Sequence, residues 1–346
     1  MKYRRIGNTG LKVSELCMGT MQFGWTADER ISIDILNSAF DAGIQFVDTA
    51  DIYSTWVEGN PGGISESIIG KWLKEGLARR DQVVITTKVG GPMGEGPNDG
   101  GLSRSHIISA AEASLHRLGT DYIDLYLLHW PDDATPIEET LTALDFLVQR
   151  GDVRYIGCSN YSAWRIVEAL CLSKHRNLAR FISLQPEYNL IHRAEYEREC
   201  EAVCKQFGLG VTPYSPLAGG FLTGKYKRGE KPPEETRGSF SEFYEITARK
   251  DRNWEVVQSL HTIATTRENS PSQIALAWLL ACPTVTSPII GPRNLEQLKD
   301  NLGAVDLKLS DEEIAILDEV SSWQEQVQDL LPQKKYKSSI TRDNQF

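Results

Sequence analysis

The sequence contains no long apolar segment. None of its 346 residues belongs to a run near the roughly 20 apolar residues that a membrane-spanning helix requires. The N-terminal stretch MKYRRIGNTGLKVSELCMGT carries basic residues, but no extended apolar run follows them, which is unlike a signal peptide. We therefore expect a cytoplasmic protein without a membrane partner.

Basic residues are fewer than acidic ones. The chain has 37 lysines and arginines against 47 aspartates and glutamates, a formal net charge of −10. Such a surface repels phosphate backbones, so we expect no nucleic-acid partner, although a local basic pocket for a phosphorylated cofactor is still compatible with it. With 40% hydrophobic and 24% charged residues, the composition is typical of a folded globular protein with a sizeable core.

Cysteines are few and widely spread. The six are Cys17, Cys158, Cys171, Cys200, Cys204 and Cys282. Their scatter indicates reduced, mostly buried thiols. Cys200 and Cys204 share one helical face, a spacing that suits a metal ion. The apolar side chains on the same face favour simple packing instead: Tyr196, Val203 and Phe207. Because no HExxH or similar cluster is present, we expect no metal site.

Several common catalytic motifs are missing. There is no nucleophile elbow of a Ser-His-Asp hydrolase. The segment GEGPNDG has Asp99 where the dinucleotide fingerprint GxGxxG requires its last glycine. GGFLTGKY, residues 219–226, fits GxxxxGK, but Tyr226 replaces the serine or threonine that would hold magnesium in a P-loop. Lys225 within it stays a candidate for neutralising a cofactor phosphate.

Eight short apolar runs alternate with longer segments of helical periodicity. The runs are SELCMG, IQFVDTA, QVVITTK, YIDLYLLH, VRYIGCSN, FISLQPE, LGVTPYS and VTSPIIG. From the second to the seventh, their ends recur 26 to 41 residues apart, which suits one helix plus one strand. We therefore predict an α/β fold, a (β/α)8 barrel with extra helices, and long loops at its C-terminal face, residues 89–101 and 226–240.

Local signals set the predicted boundaries. The NTG turn, residues 8–10, predicts an N-terminal β-hairpin before the barrel. Ser65 and Ser310, each followed by acidic residues, are typical helix starts. We expect a single domain over residues 1–323 and a polar C-terminal tail over residues 324–346.

Polar side chains end six consecutive strand runs. They are Asp48, Lys88, His129, Ser159 with Asn160, Gln185, and Tyr214 with Ser215. In a parallel barrel these ends meet at one face, so residues far apart in sequence come together. Any one of them alone is more simply a polar strand end. Six in a row with complementary chemistry favour an active site.

Four residues near these ends suit general acid catalysis, with one as the acid and three as assisting groups. Tyr53 has an ordinary pKa of about 10, and the ammonium group of Lys88 is expected to lower it. Asp48 would hold Lys88 and balance its charge. His129 would donate a hydrogen bond to a substrate oxygen or tune Tyr53. This set suits protonation of a carbonyl oxygen that is turning into an alkoxide. Asp51, in the same FVDTADIYS segment, is interpreted as a loop residue that is structural or lies at the pocket rim.

The motifs resemble those of the aldo-keto reductases over nearly the whole chain. The matching stretches, in order, are GNTGLKVSELCMGT, FVDTADIY, ITTKV, DLYLLHWPD, IGCSNYS, LQPEYN, YSPLAGGFLTGKY and IIGPRNLEQLKDN. The resemblance implies a (β/α)8 barrel that binds extended NADP(H) at its C-terminal face without a Rossmann domain. It implies reversible hydride transfer between nicotinamide and an aldehyde, ketone or alcohol. Its catalytic tetrad falls on Asp48, Tyr53, Lys88 and His129, with Tyr53 as the proton donor.

The resemblance also implies a set of cofactor contacts. The positions that hold the carboxamide match Ser159, Asn160 and Gln185, and the aromatic that stacks on nicotinamide matches Tyr214. The segment that binds the pyrophosphate matches Ser215, Leu217 and Lys225, and the segment at the adenosine end matches Arg293, Gln297 and Asn301. Thr20, from the first matching stretch, is a further cofactor contact. Arg293 is the candidate for the 2′-phosphate, because a guanidinium suits phosphate geometry. Related sequences often carry a small hydroxyl residue there and an arginine one place later, where this chain has Asn294. Arg237 in the long loop is a further phosphate candidate.

The link from Tyr53 to the next helix is longer than in many relatives. STWVEGNPGGI, residues 54–64, fills it. Trp56 in this insertion, together with Trp25 and Trp130, is expected to wall an apolar substrate pocket, although isolated tryptophans are also common in cores.

Two other functions stay open at this point. Potassium-channel β subunits resemble these enzymes and serve as regulatory partners, so a cofactor-binding interaction subunit with little turnover is one alternative. A metal-dependent lyase or isomerase on the same barrel is another. We expect a small-molecule carbonyl or alcohol as the partner, and the sequence carries no signal for an oligomeric state.

Overall fold

The chain opens with a β-hairpin in the computed structural model, which describes residues 1–76, 78–234, 236–239 and 242–323. Strands β1 (Tyr3–Arg5) and β2 (Lys12–Ser14) pair antiparallel, as the NTG turn predicts. The turn is tied to the body of the protein by Asn8, whose N–H donates to the carbonyl oxygen of Gly208 over 2.9 Å. The predicted tail lies outside the described residues.

Eight parallel strands form the barrel. They are β3 (Cys17–Gly19), β4 (Phe46–Asp48), β5 (Val84–Val89), β6 (Ile123–Leu128), β7 (Val153–Ser159), β8 (Phe181–Gln185), β9 (Gly210–Val211) and β10 (Ile289–Ile290). Neighbours in the chain pair with each other, and β10 pairs with β3. The N–H of Thr286 donates to the carbonyl oxygen of Val211 over 2.7 Å, which links β9 to the segment leading into β10. The sheet therefore curls round on itself, and the predicted (β/α)8 fold is confirmed.

Helices connect the strands on the outside of the sheet. They are α1 (Glu29–Asp41), α2 (Ile64–Lys74), α3 (Arg104–Leu118), α4 (Ile137–Arg150), α5 (Ala163–Arg176), α6 (Glu201–Phe207), α7 (Glu242–Ala248), α8 (Asp251–Arg267), α9 (Pro271–Ala281), α10 (Leu295–Leu302) and α11 (Asp311–Val320). One π-helical turn, Tyr196–Cys200, precedes α6, and 3₁₀ turns lie at Arg80–Gln82, Ala218–Thr223 and Arg237–Ser239. The amphipathic segments of the sequence form these helices because their apolar faces pack on the sheet.

The two predicted helix starts have different outcomes. At α11 the hydroxyl of Ser310 accepts from the N–H of Glu313, whose carboxylate accepts from the N–H of Ser310. This reciprocal capping box confirms that start. At α2 the capping residue is Gly63, in the left-handed conformation with φ 71°. Ser65 does not cap the helix, because its side chain is buried and donates to the hydroxyl of Thr20.

The apolar core has two parts, separated by the sheet. Along β6, Leu125 and Leu127 belong to a cluster inside the barrel, whereas Tyr126 and Leu128 pack outward under the helices. This alternation is the period-two pattern of a strand with both faces buried. Apolar side chains from the strands and the hairpin fill the interior, so the polar strand ends are left at the C-terminal mouth.

The cysteines and acidic groups form no ligand cluster in the described part of the chain. Cys17, Cys158, Cys200 and Cys204 are buried, Cys282 is partly buried, Cys171 is exposed, and all six are free thiols. Within the described ranges no three His, Cys, Asp or Glu side chains are arranged to hold a metal ion. Among the same residues, no helix combines the length and the apolar character needed to cross a membrane.

Candidate active site

The C-terminal ends of the strands surround a cavity of about 840 Å³. Every residue predicted for the site lines it except Lys88, which is fully buried behind the wall. The lining residues among them are Thr20, Trp25, Asp48, Tyr53, Trp56, His129, Trp130, Ser159, Asn160, Gln185, Tyr214, Ser215, Leu217, Lys225, Arg293, Gln297 and Asn301. They come together because all strands of a parallel barrel end at the same face.

Lys88 connects the acidic and phenolic members of the predicted tetrad. Its ammonium group donates to Asp48 Oδ1 over 2.6 Å, to Tyr53 Oη over 2.9 Å and to the carbonyl oxygen of Thr49 over 2.7 Å. These three contacts use all three donors of the ammonium. Lys88 and Asp48 come from neighbouring strands, and Tyr53 comes from the loop that follows β4.

Burial and charge act against each other on Tyr53. Burial raises the pKa of the phenol, and the positive charge of Lys88 opposes the rise, while Asp48 adds to it. Lys88 thus lowers the pKa of Tyr53 as expected, but the pKa as a whole is raised, because burial outweighs the ammonium. For Lys88 itself, burial favours the neutral amine, but Asp48 and Tyr53 prevail and raise its pKa. At neutral pH the pair is therefore a protonated phenol beside an ammonium.

His129 is a neutral imidazole. Burial, assisted by the charge of Lys88, lowers its pKa to about 2. The ring stacks on Trp130 with 3.7 Å between centroids and meets the ring of Tyr53 edge-on at 6.0 Å. Nδ1 is buried and has no hydrogen-bond partner among the described residues, so we place the proton on Nε2. From there it can donate to an oxygen held beside Tyr53.

Asp51 is buried away from the cavity. Neither carboxyl oxygen has a hydrogen-bond partner in the described part of the chain. Its neighbour Glu66 accepts from Arg117 Nε and from Thr87 Oγ1, each over 2.6 Å. Burial first, and then the charge of Glu66, raise the pKa of Asp51 from 3.8 to about 8. Of the two roles expected for Asp51, the structural one fits and the pocket-rim one is wrong.

The residues predicted for the carboxamide form one hydrogen-bonded group. Asn160 donates through Nδ2 to the carbonyl oxygen of His129 over 2.9 Å and accepts from Tyr214 Oη over 2.8 Å. Ser159 Oγ donates to the carbonyl oxygen of Gln185 over 2.8 Å. These contacts fix the ring of Tyr214 and the amide of Asn160 in the cavity wall, and they hold the backbone of Gln185.

A buried hydroxyl network supports the opposite wall. Thr20 Oγ1 donates to the carbonyl oxygen of Asp48 over 3.0 Å. Ser65 donates to Thr20 over 2.6 Å and accepts from Thr49 over 3.0 Å. Sequence reasoning assigned Ser65 only to a helix start, and no local pattern indicates that its side chain turns inward.

Positive charge collects where Lys225 and Arg293 line the cavity close enough to interact, which is its cationic end. Arg237 also lines the cavity and interacts with Glu187. Burial and the nearby charge of Arg293 lower the pKa of Lys225. Gly220, at φ 93°, lets the lysine fold across its own loop, because a Cβ there would lie 2.7 Å from the lysine Nζ. Two cations held close together in a chain of net charge −10 fit the phosphates of a dinucleotide.

The first turn of α10 borders this cationic end. Asn294 caps the helix by accepting from the N–H of Gln297 over 2.9 Å, so this amide is committed to the backbone. Gln297 in turn accepts from the N–H of Arg293 over 3.1 Å. Asp300, which sequence reasoning missed, also lines the cavity and is held by Gln273 over 3.1 Å. Its position three residues after Gln297 on one helix face was the available signal.

Tryptophans wall the end of the cavity nearest Tyr53. Trp25 and Trp56 pack edge to face at 5.6 Å, and Trp56 meets Tyr53 at 6.3 Å. Trp56 is 46% exposed and Trp130 43% exposed, so both present open aromatic surface. Four further described lining residues carry no charge: Met21, Gln22, Thr26 and Ile52.

A comparison of the sequence with known families matches the profile described as the Aldo/keto reductase family over residues 15–322. The chain belongs to the aldo/keto reductase family. It is 40% identical to an uncharacterized oxidoreductase, YrpG, of Bacillus subtilis, covering 92% of this chain and 96% of the relative. It is 38% identical to a probable voltage-gated potassium channel subunit beta of Arabidopsis thaliana (89% and 92% covered) and 35% identical to the versiconal hemiacetal acetate reductase of Aspergillus parasiticus (92% and 96% covered).

Membership in the aldo/keto reductases confirms the resemblance seen in the motifs and the barrel. It speaks against the alternative of an unrelated metal-dependent lyase or isomerase. Carbonyl reduction with a nicotinamide cofactor is the general chemistry of this family. The cavity described above contains a phenol beside an ammonium, exposed tryptophans and a cationic end.

Proposed function

We propose that this protein is an NADP(H)-dependent oxidoreductase that reversibly reduces an aldehyde or ketone to the alcohol, with Tyr53 as the general acid. The observation that carries the proposal is the ammonium of Lys88, which joins Asp48 and Tyr53 within 2.9 Å while the phenol faces the cavity. A phenol held protonated beside a cation suits transfer of its proton to an oxygen that is becoming negative.

In the proposed reaction NADPH, when bound, would supply the hydride that the carbonyl carbon accepts. Tyr53 gives its proton to the carbonyl oxygen, so the carbonyl gains one hydride and one proton and becomes an alcohol. Lys88 stabilises the phenolate that is left, and Asp48 keeps Lys88 charged and in place. Neutral His129 donates a hydrogen bond that orients the same oxygen.

The cavity supports binding of NADP(H) in an extended form. The carboxamide would be held by Ser159, Asn160 and Gln185, and the nicotinamide would be flanked by Tyr214. The pyrophosphate would be bound by Ser215, Leu217 and Lys225. The site would be completed by Thr20, Arg293, Gln297 and Asn301. Preference for NADP(H) over NAD(H) rests on Arg293, whose guanidinium suits the additional 2′-phosphate. Arg237 lines the same cavity and adds a cation.

We propose Trp25, Trp56 and Trp130 as the substrate pocket. Their exposed aromatic surface and the uncharged lining residues Met21, Gln22, Thr26 and Ile52 favour a flat, apolar group next to the carbonyl.

A binding and turnover screen tests the proposal. NADPH and NADH are titrated against intrinsic tryptophan fluorescence, and aromatic aldehydes, dicarbonyls and sugars are then assayed by NADPH absorbance. We expect NADPH to bind more tightly than NADH and aromatic aldehydes to be reduced. If neither nucleotide binds, the proposal is wrong.

A second candidate is a cofactor-binding interaction subunit with little turnover. It is favoured by the 38% identity to a protein named as a probable potassium channel subunit beta. The same screen separates the two candidates. Tight binding of NADPH with no reduction of any carbonyl would support the interaction subunit, whereas turnover with an aldehyde supports the enzyme.

A further inference from the structure

Gln185 makes a contact that its expected role in cofactor binding does not require. It ends β8, is 3% exposed and donates through Nε2 to Asp48 Oδ2 over 2.8 Å. An ionised carboxylate can only accept hydrogen bonds, so the amide nitrogen and not the amide oxygen must face Asp48. The orientation of this amide is therefore set by chemistry.

The contact completes the hydrogen bonding of a buried carboxylate. Asp48 is 2% exposed, and its Oδ1 accepts from Lys88 over 2.6 Å. Without Gln185, the second oxygen would lose its 2.8 Å donor. Leaving part of a buried charge without a donor is costly, and the carboxylate is then free to rotate relative to Lys88. The backbone on the same strand is held separately, by Thr20.

We propose that Gln185 is a positioning residue of the catalytic group, which holds Asp48 against Lys88 through Nε2 and leaves Oε1 to bind the amide of the nicotinamide. The inference rests on the proposed function. One side chain would then join the bound cofactor to the carboxylate that supports the proton donor. Cofactor binding and the geometry of Asp48, Lys88 and Tyr53 would depend on the same amide.

The proposed contact has an electrostatic consequence at Tyr53. The charge of Asp48 raises the pKa of the phenol, and Lys88 lowers it. A donor on Asp48 draws part of that negative charge away, so removing the donor leaves more of it to act on Tyr53. Two other groups facing this cluster do not titrate near neutral pH: burial raises the pKa of the Cys17 thiol, and His129 is neutral. Asp51, whose pKa is raised to about 8, also interacts with Lys88, so its titration contributes equally to the unmodified protein and to its Gln185 variants.

Gln185→Met is the first test, because methionine keeps the length and lacks the donor. At saturating NADPH we expect single-turnover reduction to slow by about tenfold. Reduction needs protonated Tyr53, so its rate falls at alkaline pH. The midpoint of this fall, the alkaline limb of the pH–rate profile, is expected to move up by about half to one pH unit. In the ligand-free protein the melting temperature is expected to fall by a few degrees, because Asp48 loses a buried hydrogen bond.

Gln297→Met is the matched control at the adenosine end of the cavity. It removes the same amide from a site with no contact to Asp48 in the described structure. We expect weaker NADPH binding by tryptophan fluorescence and no movement of the alkaline limb. The inference would be overturned if Gln185→Met matched Gln297→Met both in the position of the alkaline limb of the pH–rate profile and in melting temperature.

Gln185→Glu supplies an independent signature. When protonated, the introduced carboxyl group can donate to Asp48 as the glutamine does, whereas its ionised form repels Asp48, so the two carboxyls share a proton. We expect turnover close to that of the unmodified protein at low pH and a loss as this proton leaves. A flat ratio to the unmodified protein across pH would contradict the inference. Failure of the unmodified protein to reduce any carbonyl would instead count against the proposed function, while melting temperature and NADPH affinity still report on the contact with Asp48.

Discussion

At the scale of single residues, the proposed reaction depends on the proton of Tyr53. Burial raises the pKa of the phenol more than Lys88 lowers it, so the proton is present at neutral pH and leaves only under alkaline conditions. For Tyr53→Phe we expect unchanged NADPH affinity and a loss of turnover of about 10²- to 10⁴-fold, measured by NADPH absorbance. Tyr3→Phe, an exposed site on the hairpin, is the matched control. Equal rates in Tyr53→Phe and the unmodified protein would remove Tyr53 from the mechanism.

Asp51 is the residue whose ionisation is expected to control stability. The folded chain holds its proton up to about pH 8, whereas the ordinary pKa is 3.8. Unfolding therefore releases a proton between these values, and the free energy of unfolding falls as pH rises through that window, by up to about 1.4 kcal/mol per pH unit. Asp51→Asn cannot ionise, so we expect it to flatten this dependence.

The measurement for Asp51 is the melting temperature of both proteins at several pH values between 5 and 8, a range inside the predicted window. The stability difference in favour of Asp51→Asn is expected to grow with pH. Glu66→Gln is a useful contrast, because Glu66 is the partner of Arg117 and its loss is expected to destabilise the fold. If Asp51→Asn lowered the melting temperature equally at every pH, Asp51 would be an ionised, paired carboxylate.

At the scale of elements, the start of α2 depends on a residue without a side chain. Gly63 has φ 71°, and a Cβ there would lie 2.3 Å from Cδ of Arg117. Gly63→Ala would therefore strain the backbone and displace Arg117 from Glu66, at a cost of about 2–4 kcal/mol. Gly59 lies in the same insertion at φ 84° with open space around it. Gly59→Ala is expected to cost only about 1 kcal/mol, so thermal unfolding that ranks the two equally would contradict the argument.

The same element scale explains what the sequence could and could not predict. Barrel strands are short apolar runs with polar ends, so the strands and the tetrad could be located from spacing and chemistry. The role of Ser65 was missed because a serine followed by an acidic residue is the same sequence pattern whether the hydroxyl caps a helix or bonds to Thr20. The bond from Gln185 to Asp48 joins residues 137 apart, and it depends on where each side chain points. Burial of Asp51 likewise follows from the packing of α2 and α3 and not from its local motif.

At the scale of the whole molecule, the net charge of the protein and the charge of the basic residues in the cavity have opposite signs. The protein carries a net charge of −10, which repels an anionic dinucleotide at long range. The cavity is nevertheless lined by three basic residues among those described: Lys225, Arg237 and Arg293. Salt screens exposed charges beyond about 8–10 Å but acts less on charges inside a cavity. Nucleotide affinity should therefore depend mainly on these three residues, and only weakly on the charge of the remote surface.

Arg293→Gln separates the local cations from the overall charge. We expect it to weaken NADPH binding by about tenfold and to leave NADH binding almost unchanged, because only NADPH has the 2′-phosphate. Arg79→Gln removes the same charge from an exposed pair with Asp81, remote from the cavity lining. Both dissociation constants are measured by tryptophan fluorescence at low and high salt for the three proteins. If Arg79→Gln weakened NADPH binding as much as Arg293→Gln, net charge would govern affinity. Equal losses of NADPH and NADH affinity in Arg293→Gln would instead place the 2′-phosphate elsewhere, with Arg237 as the next residue to replace.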